Sequence, residues 1–424
     1  MTVWVSHPTG NPNLRAVLRG LERAGLRPTF FTTVAFPAAL MNAVGRLSAG
    51  VGRELFRRTF PEIPYARVRV SPGRELVRQL AGRLGLRALV RHEKGLASTD
   101  RVYRALDLRV ARALRSARRR PSAIYAYEDG ALTSFLTARE CGVRRIYELP
   151  TAYWRRKQEL FEEERNRRPE WASTLEGLRD SPAKLERKNR ELAEAELAIV
   201  PSTFVAESLR LAPRRPRRVA VVPYGCDPPA TGPVPTRRRG EPLSILYAGI
   251  LTQRKGLADL FEALDRLAIP HRLTLAGPCP VSDCRALRRA LERLERTWLG
   301  AVARPVLMEL MRTHHVLVFP SLVEGFGLVL TEAMANGLPF IATTHTAAPE
   351  LISADGAEGF VVPIRDPDAI AERLTFLYEN EDRRLEMAEA AKRRAAELSW
   401  RRFEETVSEL VRGMLDSRRE PAFR

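Results

Sequence analysis

A chain of 424 residues with no apolar run of about eighteen is expected to fold as two domains of roughly 200 residues and carries no evident membrane-spanning helix. Four scattered cysteines, Cys141, Cys226, Cys279 and Cys284, with only His271 near the last pair, argue against a zinc site or disulfide scaffold and for free thiols in a reducing compartment. The net charge of +19 is concentrated: residues 1–150 hold 27 basic and 11 acidic side chains, a local +16, which suits nucleic acid, anionic lipid or a phosphorylated substrate. Coding bias toward arginine accounts for Arg over Lys, but not for the excess over acid.

The opening MTVWVSHPTG lacks a basic leader, a long apolar segment and a small-residue cleavage site. It reads as a strand, residues 3–6, and a turn, and the protein is expected in the cytoplasm or peripherally on the inner membrane face. The turn HPTGN contains Gly10 and precedes an amphipathic helix over 14–24 and a strand over 28–33, the opening of a doubly wound sheet. Residues 38–118 are helical in period and rich in arginine, with Leu40, Met41, Val44, Leu47 and Val51 on one stripe that reads as core before membrane anchor. Strands are expected at 123–127, 145–149 and 197–200, the last two separated by a charged helical stretch over 155–195.

Residues 221–242 hold six prolines and three glycines without periodicity, which marks a linker. Strand and helix alternate afresh from LSILYAGI onward, so a second α/β domain begins near 241. Within it, HHVLVFPS (314–321) reads as a buried parallel strand, Gly325 and Gly327 as a tight turn, and 328–336 as a helix closed by Gly337. A strand, a glycine turn and a helix N-terminus together make an anion site. Glu324 at the mouth and Glu332 on the helix either reach one ligand or are a solvated loop charge and a surface helix residue. A last helix follows the N-cap candidate Ser399.

Taken together, YAGILTQRKG (247–256), VVPYGCD (221–227), PSLVEGFGLVLTEAMANGLPFIAT (320–343), Pro349-Glu350-Leu351 and Gly359-Phe360-Val361-Val362 resemble the retaining glycosyltransferases of family 4. The likeness covers most of the chain and is specific in its second half. It implies the GT-B architecture, two Rossmann-like doubly wound domains facing across a cleft: an acceptor domain over 1–230, a linker over 231–240, a donor domain over 241–395 and a helix over 396–424 returning to the first domain. It implies a nucleoside-diphosphate sugar on Gly10, Gly249, Arg254, Lys255, Glu324, Gly325, Phe326, Gly327 and Glu332. Arg254 and Lys255 would hold the departing diphosphate, Glu324 and the backbone of 325–327 the sugar, and Glu332 the ribose, because an ionised carboxylate accepts from two vicinal hydroxyls.

Retention in that family is explained by same-face attack, with the leaving phosphate deprotonating the acceptor, so no protein nucleophile is required. Turnover is expected without a metal, since the only Asp-x-Asp, Asp366-Pro367-Asp368, falls late in an expected loop, and no cofactor is implied. The first domain departs from the family pattern. Histidines common after two of its strands are replaced by IYAYEDGAL and YELPTAYW. Asp129 or Glu128 would then serve as an acceptor-side base or sugar contact, or else cap the next helix. His7 and Asn11 are further acceptor-side candidates, while His314 and His315 would pack at a strand start and His345 lies near the donor loop without a clear role.

The acceptor would be a glycan or a lipid-linked molecule, with the basic first domain on an anionic membrane surface. Nucleic acid is disfavoured because the basic residues follow helical periods without interleaved aromatics. The alternative class is a non-catalytic GT-B scaffold that binds sugar nucleotide.

Overall fold

The computed structural model describes residues 1–37, 57–175, 180–280, 284–293 and 296–417. The stripe Leu40 to Val51 lies outside them. Two all-parallel sheets carry the chain. The first comprises β1 (Val3–Ser6), β2 (Pro28–Thr32), β3 (Val68–Val70), β4 (Ala123–Tyr127), β5 (Arg144–Glu148), β6 (Leu197–Val200) and β7 (Arg218–Val221), in the order β3-β2-β1-β4-β5-β6-β7. The second comprises β8 (Leu243–Ala248), β9 (His271–Ala276), β10 (Arg296–Trp298), β11 (Val316–Phe319), β12 (Phe340–Thr343) and β13 (Gly359–Val362), in the order β10-β9-β8-β11-β12-β13. β4, β6, β11 and β12 are buried at every residue, which is why they read as continuous apolar runs and not as alternating ones.

In each sheet the order reverses direction beside its first strand, between β1 and β4 and between β8 and β11. Ligands of doubly wound sheets bind outside the carboxyl ends of the strands at such a switch point. β8 runs directly into Gly249 and the 3-10 turn Gln253–Lys255, and β11 into Glu324 and Gly325. Side chains 69 residues apart in sequence thus meet at one crevice.

The final helix, Trp400–Asp416, is capped by the Ser399 hydroxyl, which accepts the Arg402 amide at 3.3 Å. It packs on helix Pro12–Arg23, where Arg19 Nε reaches Glu404 at 2.7 Å and Arg23 also pairs with it. Phe403, Val407 and Val411 join Leu14 and Leu18 in one core. The sequence stretch 231–240 is not a free tether in the structure: the Arg237 amide donates to Glu381 at 2.9 Å and its guanidinium lies 4.3 Å over the Tyr378 ring.

Two elements differ from expectation. The charged stretch 155–195 is helix Trp154–Arg167, a 3-10 turn Pro169–Thr174 and helix Pro182–Glu194, because Pro169 disfavours helical backbone at Arg168. The helical region before residue 118 contains β3, a three-residue edge strand too short to show a period. Among the described residues no helix is long and apolar enough to cross a membrane.

Candidate functional site

Between the carboxyl ends of the two sheets lies a cleft of about 520 Å³. Pro150 and Tyr224 line it from the first sheet's side; Gly249, Arg254, Lys255, Glu324, Phe326, Gly327 and Glu332 line it from the second. Local geometry depends on Gly256, which closes the 3-10 turn at φ +71; a Cβ there would stand 1.9 Å from the Pro320 carbonyl. The left-handed conformation and the close approach both require glycine, and they bring the turn carrying Arg254 and Lys255 against the loop carrying Glu324. The Arg254 carbonyl accepts the Leu322 amide at 2.9 Å, locking the two loops together.

Lys255 Nζ pairs with Glu324 Oε2 and lies 4.6 Å over the Phe319 ring. Arg254 Nη1 stands 3.6 Å from the same carboxylate oxygen and donates to the Val323 carbonyl at 3.2 Å. Burial works against charge on both members. It draws the Lys255 ammonium below its usual value against the pull of Glu324, whereas for Glu324 the neighbouring Lys255 and Arg254 outweigh burial and hold the carboxyl below the usual range. Glu324 is therefore an anion at neutral pH. His345 braces this loop: its carbonyl accepts the Glu324 amide at 3.1 Å, its Nδ1 lies 3.0 Å from the Leu322 carbonyl, and its ring stacks on Phe204 at 4.4 Å.

Glu332 projects from helix Leu328–Ala335 and meets Arg304 at 2.9 Å, which also holds Asp227 at 2.7 Å. Burial, joined by Asp227, pushes the Glu332 carboxyl up against the opposing pull of Arg304. Arg304 escaped the sequence reading because nothing in its own neighbourhood, ARPVLMEL, distinguishes it from a helix-start charge.

A second unread feature is Glu148, buried at the end of β5. It accepts Asn13 Nδ2 at 2.5 Å, the Tyr125 hydroxyl at 2.6 Å and the Tyr224 hydroxyl at 2.9 Å. Burial raises its pKa against these donors. The network fixes Tyr224, whose ring lies 5.2 Å from Phe326 across the cleft.

The first-domain candidates are placed elsewhere: His7, Gly10, Asn11, Glu128 and Asp129 are not among the residues lining the cleft. Asn11 caps helix Pro12–Arg23, accepting the Leu14 amide at 2.8 Å, and a Cβ on Gly10 would meet the Phe60 ring at 2.6 Å. His7 is buried, its Nδ1 paired with the Thr9 carbonyl and its ring edge-on to Tyr127 at 4.6 Å. The Asp129 carboxylate lies 3.4 Å from Arg187 and 3.7 Å from Lys184 and Lys188; Glu128 lies 3.4 Å from Lys188. Neither carboxylate caps the next helix. Asp107 does, accepting the Thr133 and Ser134 amides at 2.6 and 2.9 Å, while Glu191 accepts those of Asp129 and Ala131 at 2.9 and 3.2 Å.

Asp366 is not in a loop interior but caps helix Pro367–Glu379, accepting the Ala369 amide at 2.9 Å, and Asp368 pairs with Arg266. Outside the cleft, His92, Glu93 and Asp180 stand close enough to share an ion, yet Lys184 Nζ already meets Asp180 at 2.8 Å.

Two Rossmann-like parallel sheets meeting at a cleft of this composition define a GT-B protein. Residues 233–394 match the family model described as Glycosyl transferases group 1. Among curated proteins, the putative colanic acid biosynthesis glycosyltransferase WcaL of Escherichia coli (strain K12) is 31% identical over 37% of this chain and 41% of its own length. The D-inositol 3-phosphate glycosyltransferase of Corynebacterium urealyticum is 31% identical over 46% of this chain and 51% of its own. The chain thus spans about half or less of the curated relatives it matches. Over nearly the whole chain the fold is similar to that of Anabaena Alr3699/HepE in complex with UDP-glucose, with 17% identity, a TM-score of 0.60 and coverage of 97% and 100% of the two chains. The lipopolysaccharide outer core galactosyltransferase WaaB gives 15% identity, a TM-score of 0.62 and coverage of 97% and 100%.

Proposed function

We propose that the protein is a retaining glycosyltransferase that moves a sugar from a nucleoside-diphosphate donor to a glycan or lipid-linked acceptor of the cell envelope. The observation that carries this reading is the convergence of Arg254, Lys255, Glu324 and Glu332 on one cleft at the second sheet's switch point. Support comes from relatives named as a colanic acid biosynthesis glycosyltransferase and a D-inositol 3-phosphate glycosyltransferase, and from a similar fold described with UDP-glucose.

In this reading the diphosphate lies against Arg254 and Lys255 near the amino end of helix Leu328–Ala335, where cations and free backbone amides oppose its charge. Glu332 accepts from the ribose hydroxyls, and Glu324 with the backbone of Gly325, Phe326 and Gly327 holds the sugar. The bond between the anomeric carbon and the phosphate oxygen breaks as the acceptor oxygen attacks the same face, and the acceptor proton passes to the leaving phosphate. Arg254 and Lys255 then stabilise the charge that develops, and turnover proceeds in excess chelator. The enzyme works at the cytoplasmic membrane face, its basic first domain turned to anionic lipid.

The test is a thermal-shift panel of nucleoside diphosphates and their sugars, followed by a transfer assay. A matching ligand at a hundred times its Kd should stabilise by about 2.7 kcal/mol. Glu332→Ala should abolish the preference for ribose over deoxyribose nucleotides; an unchanged preference removes Glu332 from the site. Donor binding with neither transfer nor donor hydrolysis, across a panel of acceptors, would instead identify a non-catalytic scaffold.

A further inference from the structure

Helix Gly73–Arg83 is packed the wrong way round for a surface helix. Its one acidic residue faces inward: Glu75, 2% exposed, binds Arg58 at 3.0 Å, Arg78 at 2.7 Å and Gln79 at 2.9 Å. Its large apolar residues face out, while Ala81 is buried. Leu76, Leu80 and Leu84, spaced four apart with Val77 beside them, form one stripe. They are 46, 56 and 70% exposed, and Leu86 extends the patch.

The rim of this patch carries one sign of charge. Arg74, Arg83, Arg87 and Arg91 are exposed, whereas between residues 64 and 99 the only acids are Glu75, which is buried, and Glu93, which accepts the Ser181 amide and hydroxyl at 2.8 and 2.5 Å. Apolar side chains ringed by exposed cations match the interface of an anionic bilayer, where leucines enter the acyl boundary and guanidinium groups meet headgroup phosphates. A second copy of the chain fits poorly, since pairing the patch with itself would set arginine rim against arginine rim.

We infer that the outward apolar stripe of helix Gly73–Arg83, with its arginine rim, is a docking surface for anionic lipid. The inference deepens the reading of a membrane-face enzyme and rests on it only for its purpose, since lipid binding is measured without donor or acceptor. The experiment is co-sedimentation with vesicles of phosphatidylcholine alone or mixed with phosphatidylglycerol, at low and high salt. The wild-type protein should bind the anionic vesicles at least tenfold more tightly than the neutral ones, less so in high salt.

Leu80→Ser/Leu84→Ser and Arg83→Glu/Arg87→Glu should each weaken that binding at least tenfold while leaving the thermal shift with UDP unchanged. Both variants alter exposed side chains outside the donor cleft, so folding and nucleotide binding report separately from lipid binding. Wild-type affinity for anionic vesicles in both variants would overturn the inference. So would equal binding to neutral and anionic vesicles, or a dimer in solution that the leucine variant dissociates. Failure of the UDP shift in the wild-type protein would count against the proposed activity and not against this surface.

Discussion

His7 is a buried imidazole at the end of β1. Burial pushes its pKa from 6.5 down to about 4, against the backbone contact at Thr9 that favours the charged form. An unfolded chain takes up a proton at His7 as the pH falls through 6.5, while the folded chain does not until about 4. The stability attached to His7 is therefore present above pH 6.5 and is lost progressively on acidification, by roughly 3 kcal/mol across the window. Denaturant titrations at pH 7 and pH 4 should show His7→Asn losing that much less than the wild-type protein; equal losses would show that His7 is solvated.

At the same scale, Glu324, Glu332, Arg254 and Lys255 were legible because each sits in a short motif beside glycine turns. Arg304 and Glu148 were not. Their partners lie 23 residues or more from them, at Glu332, Tyr125, Tyr224 and Asn13, and nothing local signals the contact.

Among elements, the loops after β5 and β11 touch where Gly325 faces Pro150. A Cβ on Gly325 would lie 1.9 Å from the Pro150 carbonyl, and the Gly325 carbonyl accepts the Ser202 hydroxyl at 2.7 Å. Sequence reasoning placed glycine here for approach to a ligand; the structure shows it at the approach of one loop to the other. Gly325→Ala should force the loops apart at the cleft mouth and lower kcat/KM by about a hundredfold, the cost of an ångström-scale misplacement, with little change in Tm. Steady-state kinetics paired with thermal melts decide this, since an unaltered kcat/KM would mean that the loops relax freely.

The strands were readable because buried parallel strands are continuous apolar runs, whereas β3 and the break at Arg168 follow from edge pairing and from Pro169.

At the scale of the molecule, helix Trp154–Arg167 and the 3-10 turn after it cross from the first sheet's side to clasp the second. Glu164, fully buried, accepts Gln253 Nε2 and Arg365 Nε at 2.8 Å each and lies 3.3 Å from Arg167. Trp171 packs at 6.1 Å from Phe261, and the Thr174 hydroxyl accepts the Gln253 amide at 2.9 Å. Gln253 opens the turn that presents Arg254 and Lys255, so the clasp holds the start of a turn that lines the cleft. Glu164→Ala removes the acceptor shared by the buried Gln253 amide and the half-buried Arg365, which keeps Glu163 at 2.7 Å, and should cost about 1 to 3 kcal/mol of stability. Affinity for UDP should fall with it, as isothermal titration would show. A variant that melts earlier but binds UDP as before would separate clasp from cleft.

What the sequence determined by itself was local: the alternation of strand and helix, the glycine turns, and the spacing of the motif residues along the two strand-turn-helix segments that line the cleft. These depend on residues within a turn or two of one another, so periodicity and turn chemistry suffice to reveal them. Tertiary structure alone decided which distant groups meet. It set Arg304 on Glu332, Tyr224 on Glu148 and the 154–175 clasp on the second sheet, and it turned the leucines of helix Gly73–Arg83 outward. Those outcomes depend on how two sheets and their crossovers pack, and an amphipathic pattern states only that a helix has two faces, not which of them the rest of the chain will cover.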